Sequence, residues 1–348
     1  MKIVIIGPNV GMGGVERAST NIANGFKNAG HDVTYLALIP EAHFFELQTN
    51  YVEPKNFNVA KMSLSKTIKY VRRNIIELQP DHIIAYTKFY AAIANLALIF
   101  TKYKIYVSER SSPLYIWPRH IELFSKLSFF LRRPKGIISQ TSLASEYHQK
   151  LYGKTKYAVI PNALRDIQLY PEIKREKIIL AVGRFNDPCK GFDLLIEAFN
   201  QLENEEWHLV FAGGKKEEAD YLMSLANTKV ASRIEFLGHV KNMDQIYARA
   251  GIFVIPSRSE GFPNSLIEAM AAGCPSISFD FIAGPRDIIQ NGENGILVEK
   301  ENYELLAKEM DNLIKDETLR HTLGSNASKI QTNLNSNKII EKYLDFIN

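Results

Sequence analysis

With 348 residues, 46% hydrophobic and 23% charged, the chain is a folded globular protein too long for one ordinary core, so two domains are expected and long disorder is excluded. Two cysteines, Cys189 and Cys274, cannot form a disulfide framework, and the apolar run behind Met1 is too short for a secretory leader, which points to the cytoplasm. The net charge of +4 hides an asymmetry, because residues 1–165 hold 22 Lys+Arg against 10 Asp+Glu and the remainder 20 against 28. The basic half suits a phosphorylated acceptor, an anionic membrane or nucleic acid, with drift in surface composition as the other reading.

Residues 2–6 read as a first parallel strand. Gly7-Pro-Asn-Val-Gly-Met-Gly-Gly14-Val-Glu-Arg17 follows and opens a helix that Gly30 ends. Gly13 and Gly14 would let the backbone approach a ligand phosphate. The spacing is not that of a dinucleotide fingerprint, and no Gly-Lys-Ser/Thr follows, so this is no P-loop. Residues 32–39 form a second strand, and 40–60 hold a loop with a short strand near Phe57–Ala60. An amphipathic helix over 65–78 places Ile68, Val71, Ile75 and Leu78 on one face and Lys66, Lys69 and Arg73 on the other. A strand over 81–85, a helix over 88–100 and a strand over 103–107 continue the alternation of a parallel α/β sheet. The run 91–100 is too short to span a bilayer.

Ser108-Glu109-Arg110-Ser-Ser-Pro113 is then a loop at a strand's C-terminal end. Glu109 and Arg110 either orient an acceptor hydroxyl or phosphate, or cap the helix that follows. That helix, over 117–133, aligns Arg119, Lys126 and Arg133 seven residues apart, with Leu123, Leu127 and Phe130 alongside and Trp117 and Phe129 adding aromatic bulk. It is either an interfacial helix for anionic lipid or a surface helix packing its apolar side on the sheet. A strand over 136–139, a helix over 142–151 and a strand over 157–160 complete the first half. Pro161-Asn162-Ala163 ends that strand, and residues 164–176 read as a linker.

The second half restarts with a strand over 178–182 and Gly183-Arg184-Phe-Asn-Asp-Pro-Cys-Lys190-Gly191. Arg184 and Lys190 lie six residues apart on a loop that ends at a helix, a spacing suited to a diphosphate. A strand follows over 208–212, with a turn at Gly213-Gly214 and a helix over about 216–227. A buried strand over 252–255 leads into Glu260-Gly-Phe-Pro-Asn-Ser-Leu-Ile-Glu268. Pro263 suits the first turn of a helix, and the N–H groups of Asn264, Ser265 and Leu266 would be free to face a phosphate. Glu260 and Glu268 would grip sugar hydroxyls on either side. A strand over 275–279, helices over 301–315 and helices through much of 317–347 close the chain.

The segment Pro-Ser-x-x-Glu-Gly-Phe-Pro-Asn-x-x-x-Glu-Ala-Met-Ala-x-Gly resembles the signature of family 4 glycosyltransferases, retaining enzymes with the GT-B fold. Gly13-Gly14-x-Glu-Arg, Gly-Arg-x(5)-Lys-Gly and Ile234-Glu-Phe-Leu-Gly238-His239-Val240 resemble further segments of the family. The resemblance implies two Rossmann-like, doubly wound parallel-sheet domains facing a central cleft: residues 1–165 with a returning C-terminal helix over 330–348 for the acceptor, and 166–329 for the nucleotide sugar. By that resemblance Arg184, Lys190 and Glu260 are the catalytic residues. Gly13, Gly14, Gly183, Val240, Gly261, Phe262, Pro263, Asn264, Ser265, Leu266 and Glu268 bind the donor, and Glu109, Arg110 and Arg119 are candidates for the acceptor. Many members carry a histidine near position 109. Here Ser108-Glu109-Arg110 stands in its place, as in a subset of bacterial polysaccharide and lipid-linked oligosaccharide transferases.

The expected reaction is transfer of a hexose or N-acetylhexosamine, with retention, from a nucleoside-diphosphate sugar. UDP is favoured over GDP on the resemblance of Gly284-Pro-Arg-Asp-Ile-Ile. The acceptor is a glycan or polyprenyl-diphosphate-linked glycan of surface polysaccharide biosynthesis, at the inner membrane face. No metal ligand set is visible, so neither metal nor cofactor is expected, the nucleotide sugar being a substrate. No stacking or helix-turn-helix pattern supports nucleic acid. A GT-B sugar-nucleotide epimerase and a non-catalytic nucleotide-sugar-binding partner are the alternatives.

Overall fold

A computed structural model gives the structure of the chain, described for all residues except 12, 41–42, 55–62, 114 and 283. The strand expected near Phe57–Ala60 lies outside the described residues. The chain divides into two compact units, residues 1–163 with 334–348, and residues 164–333. The expected boundaries were 165/166 and 329/330.

Unit 1 is a seven-stranded parallel sheet. Its strands are β1 (Lys2–Gly7), β2 (Asp32–Ala37), β3 (Asn50–Val52), β4 (His82–Tyr86), β5 (Lys104–Ser108), β6 (Gly136–Ser139) and β7 (Lys156–Val159), ordered β3-β2-β1-β4-β5-β6-β7. Strands buried on both faces need continuous apolar runs, and Ile3, Val4, Ile5, Ile6, Ile83, Ile84, Ile105, Val107, Ile137 and Ile138 provide them. β3 was not legible, because its three residues carry too little pattern.

The crossover helices are α1 (Gly14–Asn28), α2 (Leu64–Leu78), α3 (Lys88–Ala97), α4 (Arg119–Leu131) and α5 (Ser142–Tyr152). α2 buries Val71 and Ile75 and exposes Lys66, Lys69 and Arg73, the amphipathic division its spacing predicts. α3 stops three residues short of the expected end.

Unit 2 is a six-stranded parallel sheet of β8 (Glu176–Val182), β9 (His208–Ala212), β10 (Ile234–Gly238), β11 (Ala250–Ile255), β12 (Ser276–Phe279) and β13 (Ile296–Val298), ordered β10-β9-β8-β11-β12-β13. Its helices are α6 (Phe192–Phe199), α7 (Asp220–Ser224), α8 (Met243–Arg249), α9 (Asn264–Ala271), α10 (Tyr303–Lys315), α11 (Glu317–Ser328) and α12 (Ile330–Asn333). The chain then re-enters unit 1 as α13 (Ser336–Ile347), which packs on α1. Small residues receive it: a Cβ on Gly25 would lie 2.7 Å from Ile340, and one on Gly136 would lie 2.5 Å from Phe346. Tyr106 Oη donates to the Ile347 carbonyl at 2.7 Å.

In both sheets the strand order reverses beside the first strand, between β1 and β4 and between β8 and β11. In open α/β sheets, ligands bind beyond the strand C-termini at such a switch point.

Candidate functional site

At the switch point of unit 2, β8 runs out into Gly183 and Arg184, and β11 runs out into Pro256, Ser257 and Glu260. Strand pairing therefore brings together two loops that are some seventy residues apart in sequence. Lys190 Nζ donates to Glu260 Oε1 at 2.6 Å, and Ser257 Oγ donates to the same oxygen at 2.9 Å. The Lys190 and Glu260 side chains are only 19% and 14% exposed. Arg184 pairs with Asp187 at 2.5 Å but leaves 72% of its side chain in solvent.

Asp187 accepts from Cys189 N–H at 3.0 Å and caps the single 3-10 turn Pro188–Lys190. Burial works against its charge, but the Arg184 bond and this N–H prevail and hold its carboxyl below the ordinary value. The turn ends at Gly191, whose φ is +65° and whose Cβ would stand 2.0 Å from the Pro256 carbonyl oxygen. Only glycine brings the phosphate-type loop this close to the β11 exit. Arg258 completes the seam, donating from N–H to the Cys189 carbonyl at 2.8 Å and from its guanidinium to both Asp193 oxygens at 2.8 and 2.6 Å.

Gly261, Phe262 and Pro263 lead to α9. Pro263 is the N-cap rather than the first helical residue, and its carbonyl accepts from Leu266 N–H at 3.0 Å. Asn264 N–H donates to the Phe262 carbonyl at 3.0 Å. The expectation of three free N–H groups at Asn264, Ser265 and Leu266 is corrected for the first and third, which the tight turn at Pro263 already uses. Ser265 follows in the first turn of α9.

Glu268 lies in that helix and is 5% exposed. Its Oε2 accepts from Tyr247 Oη at 3.2 Å and from Arg165 at 3.4 Å. Arg165 in turn grips both oxygens of Asp244, one of them at 3.0 Å. Burial opposes the Arg165 charge, yet the Asp244 bond and the Glu268 and Asp244 carboxylates hold the guanidinium above its ordinary value. Sequence reading missed Arg165, Asp244 and Tyr247. Residues 164–176 look like a linker, and nothing local marks Arg165 as a partner of two helices whose carboxylates lie 79 and 103 positions away. Val240 follows Gly238, whose φ of +76° and carbonyl bond to Gly213 N–H at 2.8 Å turn the chain at the β10 exit. Gly183 packs against Lys190, a Cβ there falling 3.0 Å from the lysine stem.

In unit 1, Gly13 is the N-cap of α1 in extended conformation, and a Cβ on Gly14 would meet nothing within 4 Å. The loop is fixed from below, Tyr35 Oη donating to the Asn9 carbonyl at 2.8 Å. Glu109 and Arg110 are both buried, at 4% and 5% exposure. Glu109 accepts from the N–H groups of Lys88, Arg110 and Ser111 at 2.9 to 3.1 Å. It therefore caps α3, the helix that precedes it, not the one that follows. Register explains this: Tyr86 pairs with Ser108, so the residue after β5 sits over the start of the helix after β4. Arg110 donates to Ser108 Oγ at 2.9 Å, Asn162 Oδ1 at 2.9 Å and Tyr343 Oη. It ties the β5 loop to the junction and to α13. Arg119 is exposed at the start of α4.

Two family models match the chain: glycosyltransferase family 4 over residues 12–165, and glycosyl transferases group 1 over residues 165–330. An uncharacterized glycosyltransferase of Haemophilus influenzae is 27% identical over 345 residues, covering 96% of both chains. An alpha-1,4-N-acetyl-D-galactosaminyltransferase of Campylobacter jejuni, whose name gives a diNAcBac-PP-undecaprenol glycan as acceptor, is 25% identical over 100% of this chain and 98% of its own. Among solved structures, a Rickettsia africae glycosyltransferase superposes with a TM-score of 0.83 at 21% identity, covering 99% and 97% of the two chains. Anabaena HepE in complex with UDP superposes at 0.82 and 18% identity, covering 99% of each. The chain thus belongs to the group 1, family 4 glycosyltransferases and has the GT-B fold.

Proposed function

We propose that this glycosyltransferase moves a hexose or N-acetylhexosamine, with retention and without a metal, from a UDP-sugar to a glycan carried on polyprenyl diphosphate. The acceptor would serve surface polysaccharide assembly, and the enzyme would work on the cytoplasmic side of the membrane as a peripheral protein. The observation that carries the reading is the convergence of the Arg184–Lys190 loop and the Glu260–Glu268 segment at the switch point of unit 2, through the Lys190–Glu260 pair. The UDP complex of HepE and the acceptor named for the Campylobacter relative support the donor and acceptor classes.

In this reading the bond from the sugar's anomeric carbon to the diphosphate oxygen breaks. The acceptor hydroxyl oxygen bonds to that carbon on the same face, and its proton passes to the leaving phosphate oxygen. Lys190 and Arg184 stabilise the charge that develops on the diphosphate. Their present partners, Glu260 and Asp187, hold the cations in place until the phosphates arrive, and Glu260 then turns to a sugar hydroxyl. Glu268 accepts from hydroxyls of the nucleoside ribose, with unit 1 receiving the acceptor.

The test is nucleoside-diphosphate release from UDP- and GDP-sugars in EDTA, with and without a polyprenyl-diphosphate glycan. Acceptor-dependent release from a UDP-sugar, with the anomeric configuration kept in the product, is the expected result. Release only from a GDP-sugar, loss of activity in EDTA or inversion would each overturn its part of the reading. Lys190→Ala is expected to lower kcat by about 100-fold, as loss of one charge-stabilising donor does, with a smaller change in donor KM. Unchanged kcat would remove Lys190 from the site.

A further inference from the structure

The packing of α4 bears on both readings of its sequence. The helix turns Ser125, Ser128 and Phe129 inward. Ser128 Oγ donates to the Ala92 carbonyl of α3 at 2.8 Å, and Phe129 meets Tyr152 of α5 edge-on at 5.2 Å. Asn95 Nδ2 donates to the Arg132 carbonyl at 2.9 Å and anchors the C-terminal end. Phe129 and the two serines are packed, while several other large apolar residues are left outside. Leu123 is 70% exposed, Leu127 53% and Phe130 83%, with Ile116, at 91%, just before the helix. At 3.6 residues per turn Leu123, Leu127 and Phe130 form one ridge. Phe129, expected to add to that surface, belongs to the core instead.

Arg119 and Lys126 run beside the ridge and are exposed; Arg133, two residues past the end of α4, is exposed as well and donates to the Lys154 carbonyl at 3.4 Å. The helix's one carboxylate, Glu122, is engaged by Lys88 and by Lys126 at 3.5 Å. A row of exposed large apolar side chains flanked by a row of cations matches an anionic lipid interface, where the apolar ridge enters the acyl boundary and the cations meet headgroups. A second copy of the chain fits less well, because a two-fold contact along the ridge would set like rows of cations against each other. Among the described residues no helix is long and apolar enough to cross a membrane, so the contact would lie in the plane of the interface.

We infer that the outer face of α4, with Leu123, Leu127 and Phe130 as the inserting side chains, and with Lys126 on the helix and Arg133 just past its end as the headgroup contacts, docks this enzyme on an anionic bilayer. The inference rests on the proposed lipid-linked acceptor and gives the enzyme a way to meet it.

The test is flotation of the full chain with vesicles of phosphatidylcholine alone and of phosphatidylcholine with phosphatidylglycerol. The wild type is expected to float only with phosphatidylglycerol and to be released by salt. Combined Leu123→Ser, Leu127→Ser and Phe130→Ser should weaken partition by more than about tenfold. Lys126→Glu with Arg133→Glu, a variant that leaves the apolar ridge intact, should weaken it by at least about 25-fold, at roughly fivefold for each cation lost. Wild type that ignores anionic vesicles, or both variants floating as it does, would overturn the inference. So would a wild-type dimer in solution that the serine variant converts to monomer without any vesicle binding. Turnover of a water-soluble, short-prenyl acceptor separates this from the proposed reaction. The serine variant should keep that turnover, and a chain with no turnover on any donor would fail as the proposed transferase while its flotation result still stood.

Discussion

Glu268 illustrates how much of the site is local and how much is folding. Its place in the Glu260–Glu268 segment is legible because strand, turn and helix fall within a few residues of one another. Its orientation is not, because it depends on Arg165, which is itself aligned by Asp244, and on Tyr247. Arg165 is therefore a positioning residue. Arg165→Met should leave Asp244 and Glu268 without their shared cation and let the Glu268 carboxylate swing. The expected effect is a donor KM raised about tenfold or more with kcat changed far less, since uniform binding is lost rather than transition-state contacts. Arg165→Lys should recover part of the KM effect but not all, because one ammonium cannot hold Asp244 with two N–H groups. A fall in kcat at unchanged KM would show that Arg165 acts on the chemistry instead.

At the scale of elements, the alternation of strands and helices was readable because buried parallel strands need continuous apolar runs and their crossovers show a helical period. Two features were not readable, the short β3 and the shift of Pro263 to the N-cap of α9, and the outward ridge of α4 was readable only as one of two alternatives. Each depends on a neighbour the local pattern does not reveal. The Gly191 turn is the element on which the two donor loops meet, and its sequence requirement can be tested. Gly191→Ala would place a left-handed residue and a Cβ against the Pro256 carbonyl. Left-handed backbone costs about 1–2 kcal/mol and a forced shift of packed structure about 1–3. Unit 2 should lose about 3 kcal/mol and melt roughly 10 °C lower. Gly14→Ala, at an open position with nothing within 4 Å, should move the melting temperature by no more than about 2 °C. Calorimetry on both variants checks the pair, and equal shifts would mean that the contact with Pro256 is not what requires glycine.

At the scale of the whole molecule, unit 1 carries a response to acid in its histidines. In unit 1, His82 and His148 are buried, and burial lowers both pKa values. His148 is fixed by Ser139 Oγ at 2.7 Å from Nδ1; Glu109 pulls its pKa up and Lys88 pushes it down, both less than burial does. His31 is lowered as well, by burial and then by the amino terminus. A histidine whose folded pKa lies below its ordinary value of 6.5 is held neutral in the fold and takes up its proton first in the unfolded chain. Its stabilising effect is full above pH 6.5 and is lost as pH falls from there toward the lowered folded value. Each such group contributes up to about 1.4 kcal/mol per pH unit inside that window. Unit 1 should therefore loosen as pH falls below 6.5, seen as loss of hydrogen-exchange protection in β4, β6 and α5. His148→Asn should flatten part of that slope, since an amide can still bond Ser139 but cannot take up the proton. A profile level between pH 7 and 5, or a variant as steep as the wild type, would assign the acid response to groups other than these buried imidazoles.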